Sequence, residues 1–277
     1  MTTTDRDAGA PVPDFLIIGA MKAGTTTLYR DLIGHPGLHL PEEKEPETLV
    51  RHGDDRAAIL ADYRSLFSHA RPGQLCGEAS TAYTKRPLHA GVAERAREIC
   101  GPNLRLVHLT RAPMKRIISH FKHEYGLGAV GADINHEVLA DPKFVDWSRY
   151  DWQLEPWIAV FGEEALLRLS FEDYISDRVG TVSRVLSHLG LDLARMPELR
   201  LDRAFNASDN KPTAAGLYGS FVNSRFYQRT VKPNVPWYLR DAVARAILPK
   251  KKMPPTNLSP SVRAELERRL AQSPEAV

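Results

Sequence analysis

Cysteine is scarce in this sequence. The 277 residues contain two cysteines, Cys76 and Cys100, and neither a C-x-x-C nor an H-E-x-x-H pattern occurs. These features exclude a disulfide framework and the common zinc motifs. We therefore expect a reducing compartment and no bound metal.

Long apolar runs are also missing. No segment reaches the about 18 consecutive apolar residues that a membrane-spanning helix requires. Residues 1–13 lack the basic and apolar regions of a signal peptide, and we expect them to form a flexible N-terminal tail. The prediction is a cytoplasmic protein without a transmembrane segment.

The net charge of +3 is too small to predict a nucleic-acid partner. Between residues 225 and 252, however, eight basic residues accompany a single acid, Asp241. The basic residues are Arg225, Arg229, Lys232, Arg240, Arg245, Lys250, Lys251 and Lys252. In one interpretation, this segment attracts an anionic acceptor or makes a peripheral contact with a membrane surface. In the other, it is only a solvated helix face with a basic tail.

Short apolar runs alternate with helical spacing along the chain. The predicted strands are Phe15–Ile18, Leu75–Gly77, Leu104–Leu109 and Ala165–Leu169. Helical patterns follow three of them, starting near Thr25, Pro113 and Val179. The alternation predicts an α/β fold with a P-loop-like parallel β-sheet, helices on both faces, and ligands at the carboxyl ends of the strands.

The pattern changes beyond residue 200. The chain becomes rich in proline and irregular, then shows helical spacing over Pro236–Leu248 and Ser261–Leu270. We expect a single domain over residues 14–277, in which about residues 205–277 form an irregular and helical C-terminal cap.

A phosphate-binding loop is predicted directly after the first strand. The segment Gly19–Thr26 matches G-x-x-x-x-G-[KST]-[ST], which bends backbone N–H groups around a phosphate at a helix N-terminus. A nucleoside-triphosphatase has a lysine immediately after the second glycine, but here Thr25 occupies that position and Lys22 lies inside the loop. The shift favours a ligand whose leaving group lies close to a single 5' phosphate.

The loop resembles the 5'-phosphosulfate loop of the sulfotransferases that use 3'-phosphoadenosine 5'-phosphosulfate (PAPS), which reads K-x-G-T-T in the glycan-modifying branch. The resemblance implies that Lys22 contacts the bridging oxygen of PAPS and that the following residues bind its 5' phosphate. The implied donor-binding residues are Lys22, Ala23, Gly24, Thr25, Thr26 and Thr27.

A second motif follows the strand Leu104–Leu109. Arg111 at the strand end and Ser119 eight residues later are similar to the family's 3'-phosphate motif, in which a guanidinium and a hydroxyl bind the nucleotide. Weaker similarities extend the resemblance over about residues 14–230. They are Gly77–Ser80, Ser148–Leu154, Phe171–Tyr174 and Leu189–Leu191.

The general base is predicted from a third resemblance. The segment Lys44–Pro46 resembles the K-E-P element of the glycan sulfotransferases, in which the glutamate is the base, so Glu45 receives this role with Lys44 as the neighbour that keeps it ionised. The chain departs from the family at residues 47–49, where Glu-Thr-Leu replaces a histidine and aromatic residues. In a competing interpretation, Glu42, Glu43, Glu45 and Glu47 belong to a solvated acidic loop. The rival bases are Glu78, His120 and His123.

Together the motifs resemble a bacterial-type member of the carbohydrate and heparan sulfate branch of the family. The implied reaction transfers a sulfuryl group from PAPS to a hydroxyl or amine of a carbohydrate, glycoconjugate or small molecule, releases PAP, and needs no metal. Candidate acceptor contacts are Lys44, Glu78 and His123. The alternatives are a P-loop kinase or other NTPase, and a protein that binds PAP without catalysis.

Overall fold

The computed structural model describes residues 11–42, 44–195 and 253–272. These residues fall into two compact units: the first contains residues 11–42, 44–111 and 150–195, and the second contains residues 112–149 and 253–272. The predicted helix Pro236–Leu248 and the basic segment 225–252 lie outside the described residues. The single domain, the N-terminal tail and the C-terminal cap therefore stay predictions.

Strands and helices alternate through most of the described chain. The strands are β1 (Phe15–Gly19), β2 (Leu38–His39), β3 (Leu75–Ala79), β4 (Arg105–Thr110) and β5 (Leu166–Ser170). The helices are α1 (Thr25–Leu32), α2 (Thr48–Arg51), α3 (Arg56–Leu66), α4 (Val92–Cys100), α5 (Pro113–Leu127), α6 (Ile134–Ala140), α7 (Lys143–Asp146), α8 (Tyr150–Phe161), α9 (Phe171–Ser176), α10 (Arg178–His188) and α11 (Pro260–Ala271). Short 3₁₀ helices cover Thr81–Thr84, Glu163–Ala165 and Leu193–Arg195.

The first unit is built on a five-stranded parallel sheet with the order β2-β3-β1-β4-β5. Phe15 of the central strand pairs with Gly77 on one side and with Arg105 on the other. The four predicted strands are present with ends shifted by one or two residues, and the predicted α/β fold class is confirmed. Strand β2 was not predicted, because two residues are too few to show an apolar pattern.

Helices cover both faces of this sheet. Alternate residues of β1 point to opposite faces and pack against different helices. Phe15 and Ile17 pack in one core with residues of α1 and α10, including Leu28 and Val185. The intervening residues Leu16 and Ile18 pack in a second core with residues of α3, α4 and α8. A buried parallel sheet of this kind presents its functional surface at the carboxyl ends of its strands.

The second unit is helical. Helices α5, α6, α7 and α11 bury a cluster that includes Ile117, Phe121 and Leu266. Arg116 lies inside this unit, fully buried, and its guanidinium donates to Ser148 Oγ at 2.5 Å and to the Phe144 carbonyl at 2.8 Å.

Within the described ranges, no helix combines the length and apolarity needed to cross a bilayer.

Candidate active site

The loop between β1 and α1 has the conformation expected of an anion-binding turn. Lys22 and Gly24 both have left-handed backbones, with φ of 69° and 92°. A Cβ on Gly24 would lie 2.6 Å from the Phe171 ring, so glycine is required here by both backbone and packing. The N–H of Ala20 donates to the Leu109 carbonyl at 2.7 Å, which ties the loop to the end of β4.

Helix α1 begins at Thr25 directly after this turn, and its first turn contains no acidic residue. The first N–H groups of a helix have no partners within the helix and carry a partial positive charge. Thr25 and Thr27 are buried, whereas Thr26 is partly exposed. The turn and the helix N-terminus therefore offer backbone donors suited to a phosphate or a sulfate ester.

Arg111 follows β4, the strand beside β1, and reaches the same loop. Its Nη1 donates to the Lys22 carbonyl at 3.2 Å, and its guanidinium lies 4.7 Å from the centre of the Phe171 ring. The Tyr150 hydroxyl fixes the backbone by donating to the Arg111 carbonyl at 2.7 Å. Burial lowers the pKa of the Arg111 guanidinium from its ordinary value, and the nearby Glu172 and Tyr150 oppose this shift.

One donor of this guanidinium is unused. Arg111 Nε is buried and has no hydrogen-bond partner within the part of the chain that the structure describes. A buried N–H without an acceptor is unfavourable, so its presence beside a phosphate-type loop fits an anionic ligand. The role of Arg111 in binding a nucleotide stays a prediction from the sequence.

Glu45 lies at the end of β3, on the opposite side of β1 from Arg111. Its backbone N–H donates to the carbonyl of Ala79, the last residue of β3, at 3.0 Å. Its carboxylate Oε2 accepts from the N–H and the hydroxyl of Thr81 at 2.7 and 3.1 Å, and Lys44 Nζ contacts Oε1. The carboxylate is thus held in place and stays about one-third exposed.

The backbone is strained within the K-E-P segment and at the residue that follows it. Glu45 and Glu47 have φ values of 63° and 55°, in the left-handed region that residues other than glycine rarely adopt. Such conformations cost about 1–3 kcal/mol each and persist only where surrounding contacts hold them. One such contact is the hydrogen bond that the N–H of Glu47 donates to Ser80 Oγ at 2.9 Å.

Glu78, a rival base and candidate acceptor contact, is fully buried. Its carboxylate accepts from Ser80 Oγ at 2.6 Å, from the Tyr63 hydroxyl at 3.2 Å and from the Tyr83 hydroxyl. Burial raises the pKa of Glu78 to about 7, against the three hydrogen bonds, which lower it, and with a smaller raising effect from Glu45. Glu45 has the exposed carboxylate of the two, and we retain it as the candidate base.

Ser119, His120 and His123 belong to the second unit, on α5. Ser119 is buried and His123 is partly exposed. His120 is fully buried, with its ring stacked 5.1 Å from that of Trp147, and burial lowers its pKa to about 4. His120 is therefore a packed side chain of the helical unit. The pairing of Ser119 with Arg111 stays a prediction from the sequence, as does the role of His123.

Comparison with known proteins assigns the family. A model of the sulfotransferase family matches residues 13–195 of the 277. The chain belongs to the sulfotransferase family. The matched region contains the Lys22 loop, the K-E-P segment, Arg111 and Ser119.

Relatives of known function modify heparan sulfate. Heparan sulfate glucosamine 3-O-sulfotransferase 6 of Mus musculus is 31% identical over 190 residues, covering 65% of this chain and 52% of that protein. Bifunctional heparan sulfate N-deacetylase/N-sulfotransferase 4 of Mus musculus is 24% identical over 197 residues, covering 65% and 22%. The chain thus spans about half the length of the first relative, and less of the second.

A solved structure supports the fold. A sulfotransferase from Alicyclobacillus acidocaldarius superposes with a TM-score of 0.60 and 23% identity, covering 71% of this chain and 87% of that chain. At this identity the likeness extends to the fold alone.

Several side chains that build the site in this sulfotransferase family member were not predicted as site residues. Thr81 holds Glu45, Phe171 packs against both Gly24 and Arg111, and Tyr150 fixes the Arg111 backbone. Tyr150 and Phe171 lie in segments whose resemblance to the family indicated only the fold, and Thr81 directly follows such a segment. Those resemblances were the available signal, but they do not tell which residue contacts which loop.

Proposed function

We propose that this protein is a sulfotransferase that moves a sulfuryl group from PAPS to a hydroxyl or amine of a carbohydrate, glycoconjugate or small molecule. One observation carries the proposal: the Lys22 loop follows the central strand, with Glu45 held at the end of one neighbouring strand and Arg111 at the end of the other. The groups proposed to bind the donor and to act as the base therefore lie at the carboxyl ends of three adjacent strands.

The loop and helix α1 would bind the 5' phosphate of PAPS, with contacts from Lys22 through Thr27. Arg111, whose Nε lacks a partner within the described residues, would bind the 3' phosphate, a group to which the family resemblance also assigns Ser119. Charge-assisted hydrogen bonds to a guanidinium are about twice as strong as neutral ones, so Arg111 is the main anchor of the 3' phosphate.

Glu45 would act as the general base. The acceptor oxygen attacks sulfur in line, its proton moves to the Glu45 carboxylate, and the bond between sulfur and the bridging oxygen breaks to release PAP. Lys22 would stabilise the negative charge that develops on that oxygen. Thr81 and Lys44 hold the carboxylate, so the base needs little reorganisation before the reaction.

The acceptor class draws support from the relatives, whose names specify heparan sulfate. In this chain Glu47 follows the K-E-P element, where those enzymes' branch usually has a histidine, so the acceptor surface differs and small-molecule hydroxyls stay within the proposal. A cytoplasmic location and a peripheral membrane contact through residues 225–252 are likewise proposed from the sequence.

The direct test is transfer of label from ³⁵S-labelled PAPS to a panel of glycans, glycolipids and phenols. Calorimetry with PAP and ATP tests the donor, and we expect PAP to bind in the micromolar range or tighter and ATP far more weakly. Equal affinity for the two nucleotides would favour the NTPase alternative. Tight PAP binding without transfer to any acceptor would favour a non-catalytic binding protein.

A further inference from the structure

We propose that Glu78 is a positioning residue for Glu45, because its buried carboxylate orients two hydroxyl groups that hold the backbone immediately after Glu45. The hydroxyls are those of Ser80 and Tyr83. The inference rests on the proposed function only for its effect on catalysis; its structural part concerns residues 47–49, which directly follow the K-E-P segment.

The first link passes through Ser80. Ser80 Oγ donates to Glu78 Oε2 at 2.6 Å and accepts from the N–H of Glu47 at 2.9 Å. The second link passes through Tyr83, whose hydroxyl donates to Glu78 Oε1 and accepts from the N–H of Leu49 at 3.3 Å. Two backbone donors of the segment that follows Glu45 are therefore bound by hydroxyls that Glu78 holds.

The chemistry of the groups fixes the direction of these bonds. A hydroxyl has one proton to donate, and the Glu78 carboxylate only accepts once it is ionised, at pH values above its pKa of about 7. With its proton committed to Glu78, each hydroxyl presents lone pairs to the backbone N–H. Without the carboxylate, either hydroxyl would be free to rotate and donate elsewhere, and the backbone N–H would lose a well-oriented acceptor.

The segment needs this support because Glu45 and Glu47 are both in the left-handed region. The same end of β3 holds the Glu45 side chain, since Thr81 follows Ser80 and donates to the carboxylate. Displacement of Ser80 would therefore disturb both the backbone at Glu47 and the carboxylate of Glu45.

Tyr63 provides a matched control. Its hydroxyl donates to the same Glu78 oxygen as that of Tyr83, at 3.2 Å, and it is equally buried in the same core. Its hydroxyl also contacts the Tyr83 hydroxyl, but among the described contacts it bonds no backbone group of residues 44–51. The other titratable groups facing Glu78 are Glu45, Tyr29 and Cys100.

The experiment compares Ser80→Ala and Tyr83→Phe with Tyr63→Phe in the full chain. Amide hydrogen exchange resolved to single residues over 44–52 reports the backbone without requiring activity. We expect exchange at Glu47 in Ser80→Ala, and at Leu49 in Tyr83→Phe, to accelerate about tenfold, as loss of one hydrogen bond implies. Tyr63→Phe should stay within about twofold of the wild type at both amides.

Activity supplies the second readout. In Ser80→Ala and Tyr83→Phe, kcat should fall about tenfold while the Kd for PAP changes less than twofold, because only the base is displaced. Thermal denaturation identifies any variant that has lost its fold. If Ser80→Ala is lost in this way, the comparison of Tyr83→Phe with Tyr63→Phe tests the proposal, because phenylalanine keeps the aromatic ring. Equal loss of kcat and equal exchange in Tyr63→Phe and Tyr83→Phe would overturn the proposal.

Glu78→Gln separates positioning from direct catalysis. An amide nitrogen cannot accept from a hydroxyl, so exchange at Glu47 or Leu49 should accelerate, while the acidic limb of the kcat/KM profile that a carboxylate base produces should persist. Disappearance of that limb would make Glu78 the base and would overturn the positioning role. If the wild type transfers no sulfuryl group at all, the proposed function fails, and the exchange measurements still support or overturn the link to Glu78.

Discussion

Replacement of Glu45 by glutamine tests the assignment of the base with little disturbance of the structure. In the wild type, the Thr81 N–H and hydroxyl donate to the Glu45 carboxylate at 2.7 and 3.1 Å. In Glu45→Gln, the amide oxygen of the new side chain can still accept both hydrogen bonds. The main loss in the ground state is the ion pair with Lys44, formed by side chains that are 13% and 33% exposed. A partly exposed pair of this kind contributes about 1 kcal/mol at most.

The expected kinetic effect is larger. Removal of a general base lowers kcat by about 100- to 10,000-fold, which corresponds to about 2.7–5.4 kcal/mol in the activation free energy. Because the barrier changes several times more than the stability, the two effects separate cleanly. The free energy of unfolding and the Kd for PAP should stay almost unchanged while kcat falls.

The assay measures initial rates with labelled PAPS and an acceptor found in the panel, with calorimetry for PAP and denaturant unfolding as checks. Glu47→Gln is the matched control, since Glu47 lies two residues away and shares the left-handed backbone. At saturating acceptor we expect this control to keep kcat within about threefold, because a change in the acceptor surface alters KM rather than the base. A near-normal rate for Glu45→Gln, or an equal loss in the control, would refute the base assignment.

Further predictions concern the nucleotide loop and the buried carboxylate. Lys22→Ala should lower kcat about 100-fold with a small change in the Kd for PAP, whereas Arg111→Ala should mainly weaken PAP binding; weakened binding alone in both would contradict the leaving-group role. Gly24→Ala should destabilise the protein more than Gly53→Ala, because both have positive φ but only the first would place its Cβ against an aromatic ring, and denaturant unfolding compares them. Burial raises the pKa of Glu78 to about 7 from 4.5, so the folded state retains a proton that the unfolded chain loses, and stability should fall as the pH rises through this window. Glu78→Gln should remove that part of the pH dependence, measured by unfolding at about pH 5 and about pH 8; an identical slope in the variant would contradict the shift.

The sequence by itself determined the fold class and the Lys22 loop. Apolar runs such as Phe15–Ile18 are local, and a strand, two glycines and a helix start within a dozen residues are sufficient to specify the turn. The position of Arg111 at a strand end could be predicted for the same reason. The family resemblance added the chemistry that the spacing alone leaves open.

Tertiary structure decided how Glu45 and Glu78 differ. Both are glutamates in short motifs, and nothing in their neighbouring letters distinguishes a partly exposed carboxylate from a fully buried one. The difference arises because β3 lies inside the sheet and directs Glu78 into a core with Tyr63, whereas the K-E-P segment crosses the end of the strand.

The contacts that hold the site also depend on the folded chain. Thr81 lies 36 residues from Glu45, and Phe171 lies far along the chain from both Gly24 and Arg111, yet each contacts its partner directly. The order of strands in the sheet determines such contacts, because it brings loops from distant parts of the chain together at the carboxyl ends of the strands. Local sequence therefore determined which groups the site contains, and the parallel sheet decided which of them lie together, because long-range packing leaves no periodic signal in the sequence.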